Sequence, residues 1–196
     1  MGMLKWVSRY LATLAALIGL VSCAGVQDTT ANASLQGASS GGGVLSSVSP
    51  RALNVQPFTM VRGVGVLPGR IGERTTVGNV TMGHVTLNPP PEALFTEAIK
   101  SELAAAGHSV TGGQTRVTGV VERFALSTPA TATYWDVTID AALKVSVGGT
   151  TRAYSDVCVS RTYAWPSDKM IADLSGKCVS GIARKFSGDR SIANAL

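Results

Sequence analysis

Residues 134–147 read YWDVTIDAALKVSV, with apolar and polar side chains alternating along the whole stretch. A period of two over this length predicts a β-strand with one buried face and one wet face. Gly148-Gly149 is typical of a two-residue hairpin turn, so residues 150–163 are predicted as the antiparallel partner. The side chains predicted to face inward are Trp135, Val137, Ile139, Ala141, Leu143, Val145 and Val147, and those predicted to face outward are Asp136, Thr138, Asp140, Lys144 and Ser146.

Two amphipathic helices are predicted on either side of this hairpin. Residues 92–106 carry Phe95, Ile99 and Leu103 at a spacing of four, which places them on one helix face. Residues 168–186 form the second helix, with Ser167 as its N-cap. Each apolar helix face is expected to pack on a sheet.

The remaining strands have weaker patterns. Residues 59–67 are predicted as a short strand, and residues 116–126 as a strand of mixed pattern. Residues 70–88 are polar and glycine-rich and are predicted to be a loop with a small hairpin. The predicted fold class is therefore α+β: a two-layer sandwich with two amphipathic helices on one face of a mixed, mostly antiparallel four-stranded sheet, in the order β-α-β-β-β-α.

The N-terminus carries a processing signal. Lys5 and Arg9 precede an apolar run that ends in Leu20-Val21-Ser22-Cys23. This layout resembles the lipobox of bacterial lipoproteins, which implies that Cys23 is acylated and becomes the first mature residue. The alternatives are an ordinary secretory signal or an N-terminal anchor helix, although the run is short against the ~20 residues of a membrane span.

The resemblance to a lipoprotein divides the chain into three parts. Residues 1–22 are the predicted signal peptide, residues 23–54 a flexible Gly/Ser-rich tether that starts at lipidated Cys23, and residues 55–196 a single α+β domain. Ala24 after the cysteine implies the outer membrane, with the domain facing the periplasm and attached to the membrane by its lipid; the inner membrane is the alternative.

Composition excludes some classes of function. The formal charge is +5, from 17 basic and 12 acidic residues, and it falls to +3 when Lys5 and Arg9 leave with the signal. Such a mild excess without a dense basic block argues against nucleic-acid binding. No catalytic residues, metal site or cofactor are predicted: the two histidines lack partners at metal-ligand spacing, and Asp136 and Asp140 are ~13 Å apart on a strand.

A family resemblance covers residues 55 to the C-terminus. The lipobox, the short strand at 61–67, the helix that contains Glu102-Leu103 and ends at Gly107, the paired long strands and the C-terminal helix occur in the same order in YajG-like lipoproteins. The layout is also similar to auxiliary lipoproteins of envelope lipid transporters. Both resemblances imply a non-enzymatic protein that docks on an envelope partner, as an accessory of envelope assembly or lipid transport. The alternatives are a periplasmic carrier of a small ligand or lipid and, less favoured, an enzyme.

The predicted partner surface combines the polar sheet face with the 70–88 loop, because loops on rigid scaffolds commonly carry binding residues. Its predicted members are Arg70, Arg74, Asp136, Thr138, Asp140 and Lys144.

Cys158 and Cys178 remain as an even pair in an oxidising compartment, so a disulfide between the last strand and the final helix is a tentative prediction. Helix phase favours the bridge, because Cys178 lies on the apolar stripe. Strand phase opposes it, because Val157 and Val159 are expected to face the core, which would turn Cys158 outward. Two buried thiols that never meet are the alternative.

Overall fold

The computed structural model describes residues 27–36 and 41–196. The predicted signal peptide and the lipidation site Cys23 lie outside the described residues. The described residues form one mixed β-sheet with helices packed against it. The eight strands are β1 (Thr29–Asn32), β2 (Leu53–Val55), β3 (Thr59–Met60), β4 (Arg70–Thr76), β5 (Val80–Asn88), β6 (Thr115–Ser127), β7 (Trp135–Val147) and β8 (Thr150–Thr162).

The helices of the described residues begin and end at residues suited to those positions. A 3₁₀ helix spans Gly43–Ser47, α1 spans Pro91–Ala105, α2 spans Asp168–Ser187 and the short α3 spans Arg190–Ala195. Pro91 opens α1, where its missing N–H has no intrahelical partner to lose. The hydroxyl of Ser167 accepts a hydrogen bond from Met170 N at 3.2 Å and caps α2.

The main path of the sheet runs β1-β5-β4-β6-β7-β8. Strands β6, β7 and β8 are antiparallel neighbours of thirteen residues each. On its other side β6 is paired in parallel by three successive segments: β2 at Thr115, β3 at Val120 and β4 at Leu126.

The helices lie on one face of this sheet. Phe95 of α1 contacts Phe124 of β6 edge to face, and Phe186 of α2 contacts Tyr154 of β8 in the same way. Helix α2 also contacts β1, which lies at the opposite edge of the sheet from β8. The sheet therefore wraps around α2, and the core is enclosed between them.

The prediction of a four-stranded sheet is wrong, although the α+β class and the two long helices on one face agree with the structure. The polar 70–88 segment, predicted to be mainly a loop, forms β4 and β5. Glycines let neighbouring backbones approach here: a Cβ on Gly72 would lie 2.3 Å from Leu126 O, and one on Gly83 would lie 1.9 Å from Gln27 O. The predicted strand 59–67 is also shorter, since only Thr59–Met60 pairs with β6.

On two of the long strands, the side chains that face the core differ from those expected. A bulge between Val121 and Arg123 shifts β6 by one residue, so that Val117 and Phe124 both face the core. This bulge explains the mixed sequence pattern of β6. In β8 both Val157 and Val159 are exposed, and Cys158 between them faces α2. The expectation that these valines face the core is wrong.

Part of the segment that composition assigns to a tether is paired with the sheet. Strand β1 pairs in parallel with β5, and Gln27 N donates to Met82 O at 3.1 Å. Ala31 of β1 and Leu45 of the 3₁₀ helix are fully buried. The ordered domain thus includes residues well before position 55.

Candidate functional site: the open sheet face and the aromatic end

The face of β6, β7 and β8 that the helices leave uncovered, hereafter the open face, carries three ion pairs. Arg161 donates two hydrogen bonds to Asp136, at 2.7 and 2.9 Å. Arg123 contacts Asp140 at 2.7 Å, and Lys144 contacts Glu122 at 2.5 Å. Within these three pairs each charge has an opposite charge beside it, and Arg116 of β6 is a further exposed basic side chain on this face.

The electrostatics of the first pair follow from its geometry. The hydrogen bonds from Arg161 lower the pKa of Asp136, and the same contacts raise the pKa of Arg161. Both groups therefore stay charged at neutral pH. The Arg161 guanidinium also lies 3.9 Å from the centre of the Tyr134 ring, a cation–π geometry that fixes its orientation.

Exposed valines lie among these ion pairs. The exposed fractions are 60% for Val157, 58% for Val159 and 36% for Val120. Val157 lies opposite Asp140 and Val159 opposite Thr138 across the β7–β8 ladder. The open face therefore combines an apolar strip on the edge strand with paired charges around it.

The structure brings together only part of the predicted partner surface. Asp136, Thr138, Asp140 and Lys144 all project from the open face. Arg70 lies on β4, beyond β6, where it contacts Asp28 at 3.4 Å. The prediction that Arg74 is exposed is wrong, because only 6% of it is exposed.

Arg74 joins three parts of the chain on the helix side of the sheet. Its guanidinium pairs with Asp168 at the start of α2 and donates to Thr29 Oγ1 of β1 at 2.9 Å. The buried guanidinium is compensated by the charge of Asp168 and the hydrogen bond to Thr29, while its Nε has no hydrogen-bond partner. Arg74 is thus a structural link between β1, β4 and α2.

A second feature is a group of four aromatic side chains at one end of the sheet, hereafter the aromatic end: Tyr134, Trp135, Tyr163 and Trp165. Trp135 and Trp165 pack edge to face with ring centres 5.9 Å apart, and Tyr134 and Tyr163 do so at 6.4 Å. Tyr163 is 77% exposed and Trp165 43% exposed.

The aromatic end adjoins the β4–β5 turn. Trp135 Nε1 donates to Thr75 O at 3.0 Å, which fixes the indole beside this turn. Val77 and Val80 of the turn are each 55% exposed. Sequence analysis did not single out these aromatics, but the predicted hairpin register contains the signal: a turn at Gly148-Gly149 places residue 134 next to 163 and Trp135 opposite Thr162.

Cys158 and Cys178 form a disulfide in this structure, with their Cα atoms 5.8 Å apart. The bridge ties the edge strand β8 to the middle of α2. It is compatible with the strand phase because the inward side chains of β8 are the even-numbered ones, including Tyr154 and Cys158.

No group of three or more His, Cys, Asp or Glu side chains within residues 27–36 and 41–196 is arranged to hold a metal ion. His108 is buried, and its Nδ1 accepts a hydrogen bond from Arg51 N at 3.2 Å, which is a structural role.

Two grooves open directly to solvent. One, of about 460 Å³, lies between β8 and α2 and includes Val159, Ser160 and Met170. The other, of about 350 Å³, lies where β3 ends and β4 begins, beside Glu122 and Arg123. Neither is a closed apolar chamber of the kind that would enclose an acyl chain.

No protein-family model matches the chain, and no curated protein matches it. Among solved structures it is similar to a protein described only as uncharacterized, with 15% identity over 81% of this chain and 99% of that chain and a TM-score of 0.44. It is also similar to a candidate lipoprotein from Caulobacter crescentus CB15, with 11% identity over 63% of this chain and 88% of that chain and a TM-score of 0.34. Among the described residues, no helix has the length and apolar composition that crossing a bilayer requires.

Proposed function

We propose that this protein is a non-enzymatic envelope lipoprotein that docks on a partner protein through its open face. The observation that carries the proposal is the exposed strip of Val157 and Val159, bordered by side chains whose charges are already paired within the molecule. An apolar centre with a polar border is the usual composition of a specific protein interface.

The open face is also rigid, which favours binding. Its strands are joined by antiparallel ladders, unbroken between β7 and β8 and with one bulge between β6 and β7, and the disulfide fixes β8 to α2. A surface that is already ordered loses little conformational entropy when a partner binds. The ion pairs also hold long side chains in place, which further reduces the conformational entropy lost when a partner binds.

Support for the envelope assignment comes from the N-terminal sequence. Acylation of Cys23 would attach the protein to a membrane, and Ala24 favours the periplasmic side of the outer membrane over the inner membrane. The finer proposal, that the protein is YajG-like and serves envelope assembly or lipid transport, rests on the lipobox and on the order of the first long helix, the paired long strands and the C-terminal helix along the chain.

The docking proposal is tested by photo-crosslinking in intact membranes. A photoreactive residue is placed at Val157 or Val159, and the control carries it at Ser101, which is exposed on α1. The expected result is one discrete adduct from positions 157 and 159 and none from 101. The protein in that adduct, once purified, should lose about tenfold or more in affinity for the Val157→Glu/Val159→Glu variant.

Two results would contradict docking through this face. Adducts that are the same from all three positions would indicate random contact. Undiminished affinity of the double variant, with its fold shown intact by circular dichroism, would place the interface elsewhere.

Lipid attachment is tested separately. Wild-type protein should incorporate labelled palmitate, and its N-terminal peptide should start at acylated Cys23 by mass spectrometry. Cys23→Ser should remain an unprocessed precursor without label. Incorporation of label into this variant would exclude Cys23 as the lipidated residue.

A further inference from the structure

We propose that the aromatic end rests on the lipid bilayer, so that the domain is held against the membrane in one orientation. This inference deepens the proposed function, because it rests on acylation of Cys23. Three features carry it: the reach of the chain from Cys23, the place where Gln27 is hydrogen-bonded to the sheet, and the side chains that surround that place.

The chain beyond Cys23 is short before it enters the sheet. Gln27 is four residues after Cys23 and already donates its amide hydrogen to Met82 O at 3.1 Å. Four residue steps span at most about 14 Å, even when fully extended. If acylated Cys23 lies at the membrane surface, Gln27 must therefore lie within about 14 Å of it.

The domain is much longer than this reach. Strand β7 has thirteen residues, which corresponds to roughly 40 Å. An orientation in which only the opposite end, at the Gly148-Gly149 turn, touches the bilayer is therefore excluded, and the proposal places the end of the sheet at which Gln27 lies against the bilayer.

Gln27 and the aromatic end are joined by direct contacts. Gln27 is hydrogen-bonded to Met82 of β5. Thr81, which precedes Met82 in β5, pairs with Thr75 of β4. The carbonyl of Thr75 accepts the hydrogen bond from Trp135 Nε1. The chain from the lipid thus enters the sheet beside the aromatic end.

The exposed side chains at this end suit a bilayer surface. Tyr163 and Trp165 are exposed, together with Val77 and Val80 of the neighbouring turn. Tryptophan and tyrosine are enriched at membrane–water interfaces, because their rings are apolar and their N–H and O–H groups stay hydrated. Contact of these residues would add to the membrane affinity that the proposed lipid on Cys23 provides.

The composition of the mature protein supplies the probe. Trp6 is removed with the predicted signal, so Trp135 and Trp165 are the only tryptophans left after processing, and both belong to the aromatic end. The lipidated protein is reconstituted into phosphatidylcholine vesicles with or without lipids brominated high in the acyl chain. We expect brominated lipids to reduce tryptophan emission at least about twofold, as for indoles at headgroup depth.

Two variants make the result specific. Tyr163→Ser/Trp165→Ser removes the exposed aromatics and keeps Trp135 as the reporter, and its quenching should be largely lost. Val157→Ser/Val159→Ser changes the open face instead and should be quenched like the wild type. Both pairs are exposed, so both variants should fold.

The possible failures are distinguishable. Equal emission in brominated and plain vesicles, with acylated Cys23 confirmed by mass, would overturn membrane docking and leave the proposed function standing. Undiminished quenching of Tyr163→Ser/Trp165→Ser would also overturn it, because the aromatics would then be irrelevant. An unacylated Cys23 would overturn both.

Discussion

The β7–β8 hairpin and the segment from Thr29 to Asn88 belong to the same sheet but are built differently. The hairpin pairs thirteen residues with thirteen in unbroken register around Gly148-Gly149. The earlier segment supplies five short strands, interrupted by glycines at points of close backbone approach. The first region specifies its structure locally, whereas the second depends on distant partners.

This difference has a consequence for function. The hairpin carries the proposed docking surface, and the earlier segment lies between the sheet and Cys23, the predicted lipidation site. If Cys23 is acylated as proposed, a loose β1 would let the domain move freely above the membrane, whereas the pairing of β1 with β5 would hold the domain close to it. The predictions below test how far the two regions differ.

The largest effect is expected from Ala31→Asp. Ala31 is fully buried in β1, so the variant places an unpaired carboxylate in the core and should lower the free energy of unfolding by about 3–5 kcal/mol. The matched control is Thr30→Asp, which adds the same charge at the exposed neighbouring position and should stay within about 0.5 kcal/mol of wild type. Urea unfolding measures both; equal, small effects would mean that this segment is a tether after all.

The next effect concerns the bridge that fixes the hairpin to α2. Cys158→Ala/Cys178→Ala opens a loop with a sequence separation of 20 residues and should cost ~3 kcal/mol. Reduction should bring wild type to the stability of the variant and leave the variant unchanged. Two alkylated thiols in unreduced, mature protein would show that no bridge forms.

A smaller effect is expected where α2 meets the chain that follows β1. A Cβ on Gly176 would lie 1.9 Å from Ser34 O, so Gly176→Ala should destabilise by about 1–3 kcal/mol despite the better helix propensity of alanine. Gly181 is the control, since its Cβ would meet only the mobile end of Asp156 at 3.2 Å. Gly181→Ala should be neutral or stabilising by up to ~1 kcal/mol in thermal unfolding. If both substitutions changed the stability in the same direction, close packing of residues 33–36 on α2 would be contradicted.

The smallest effect is a pH dependence near the far end of the hairpin. Burial acts to raise the pKa of Asp189, but hydrogen bonds from Tyr154 and Ser191 and the charge of Arg152 outweigh it and lower that pKa. A lowered folded-state pKa stabilises the protein above the ordinary aspartate value of about 3.9, and this contribution is lost as the pH falls through the folded-state value.

Asp189→Asn isolates this contribution. The stability difference between wild type and variant should be largest near neutral pH, by up to about 1 kcal/mol, and should shrink below about pH 4. Urea unfolding at several pH values measures it. A difference that does not vary with pH would show that the charge of Asp189 has no role.

The sequence predicts the regions with strong periodicity and misses those that depend on partners. The alternation from Trp135 to Val147 and the helix stripes set the hairpin and both long helices. The inward assignment of Val157 and Val159 fails because apolar side chains were assumed to be buried, whereas these lie on an exposed strip. The exposure of Arg74 is mispredicted because its partners, Thr29 and Asp168, lie far away in sequence.

The glycines of the 70–88 segment led to a wrong loop prediction for a related reason. Gly72 and Gly83 make the segment look like a loop, but they are the positions where β6 and Gln27 approach too closely for a side chain. No single motif marks the aromatic end, because its members come from the start of β7 and from the chain after β8, although the hairpin register places Tyr134 next to Tyr163.

Hydrogen exchange at Gln27 tests the central claim most directly: that the chain is hydrogen-bonded to the sheet from four residues after Cys23. The amides of Gln27 and Ala33 donate to Met82 O and Asn88 O, so mass spectrometry of the lipidated protein in vesicles should find both protected from exchange. Exchange of residues 27–33 at the rate of an unstructured peptide, while β7 remains protected, would contradict the account and restore a long, free tether.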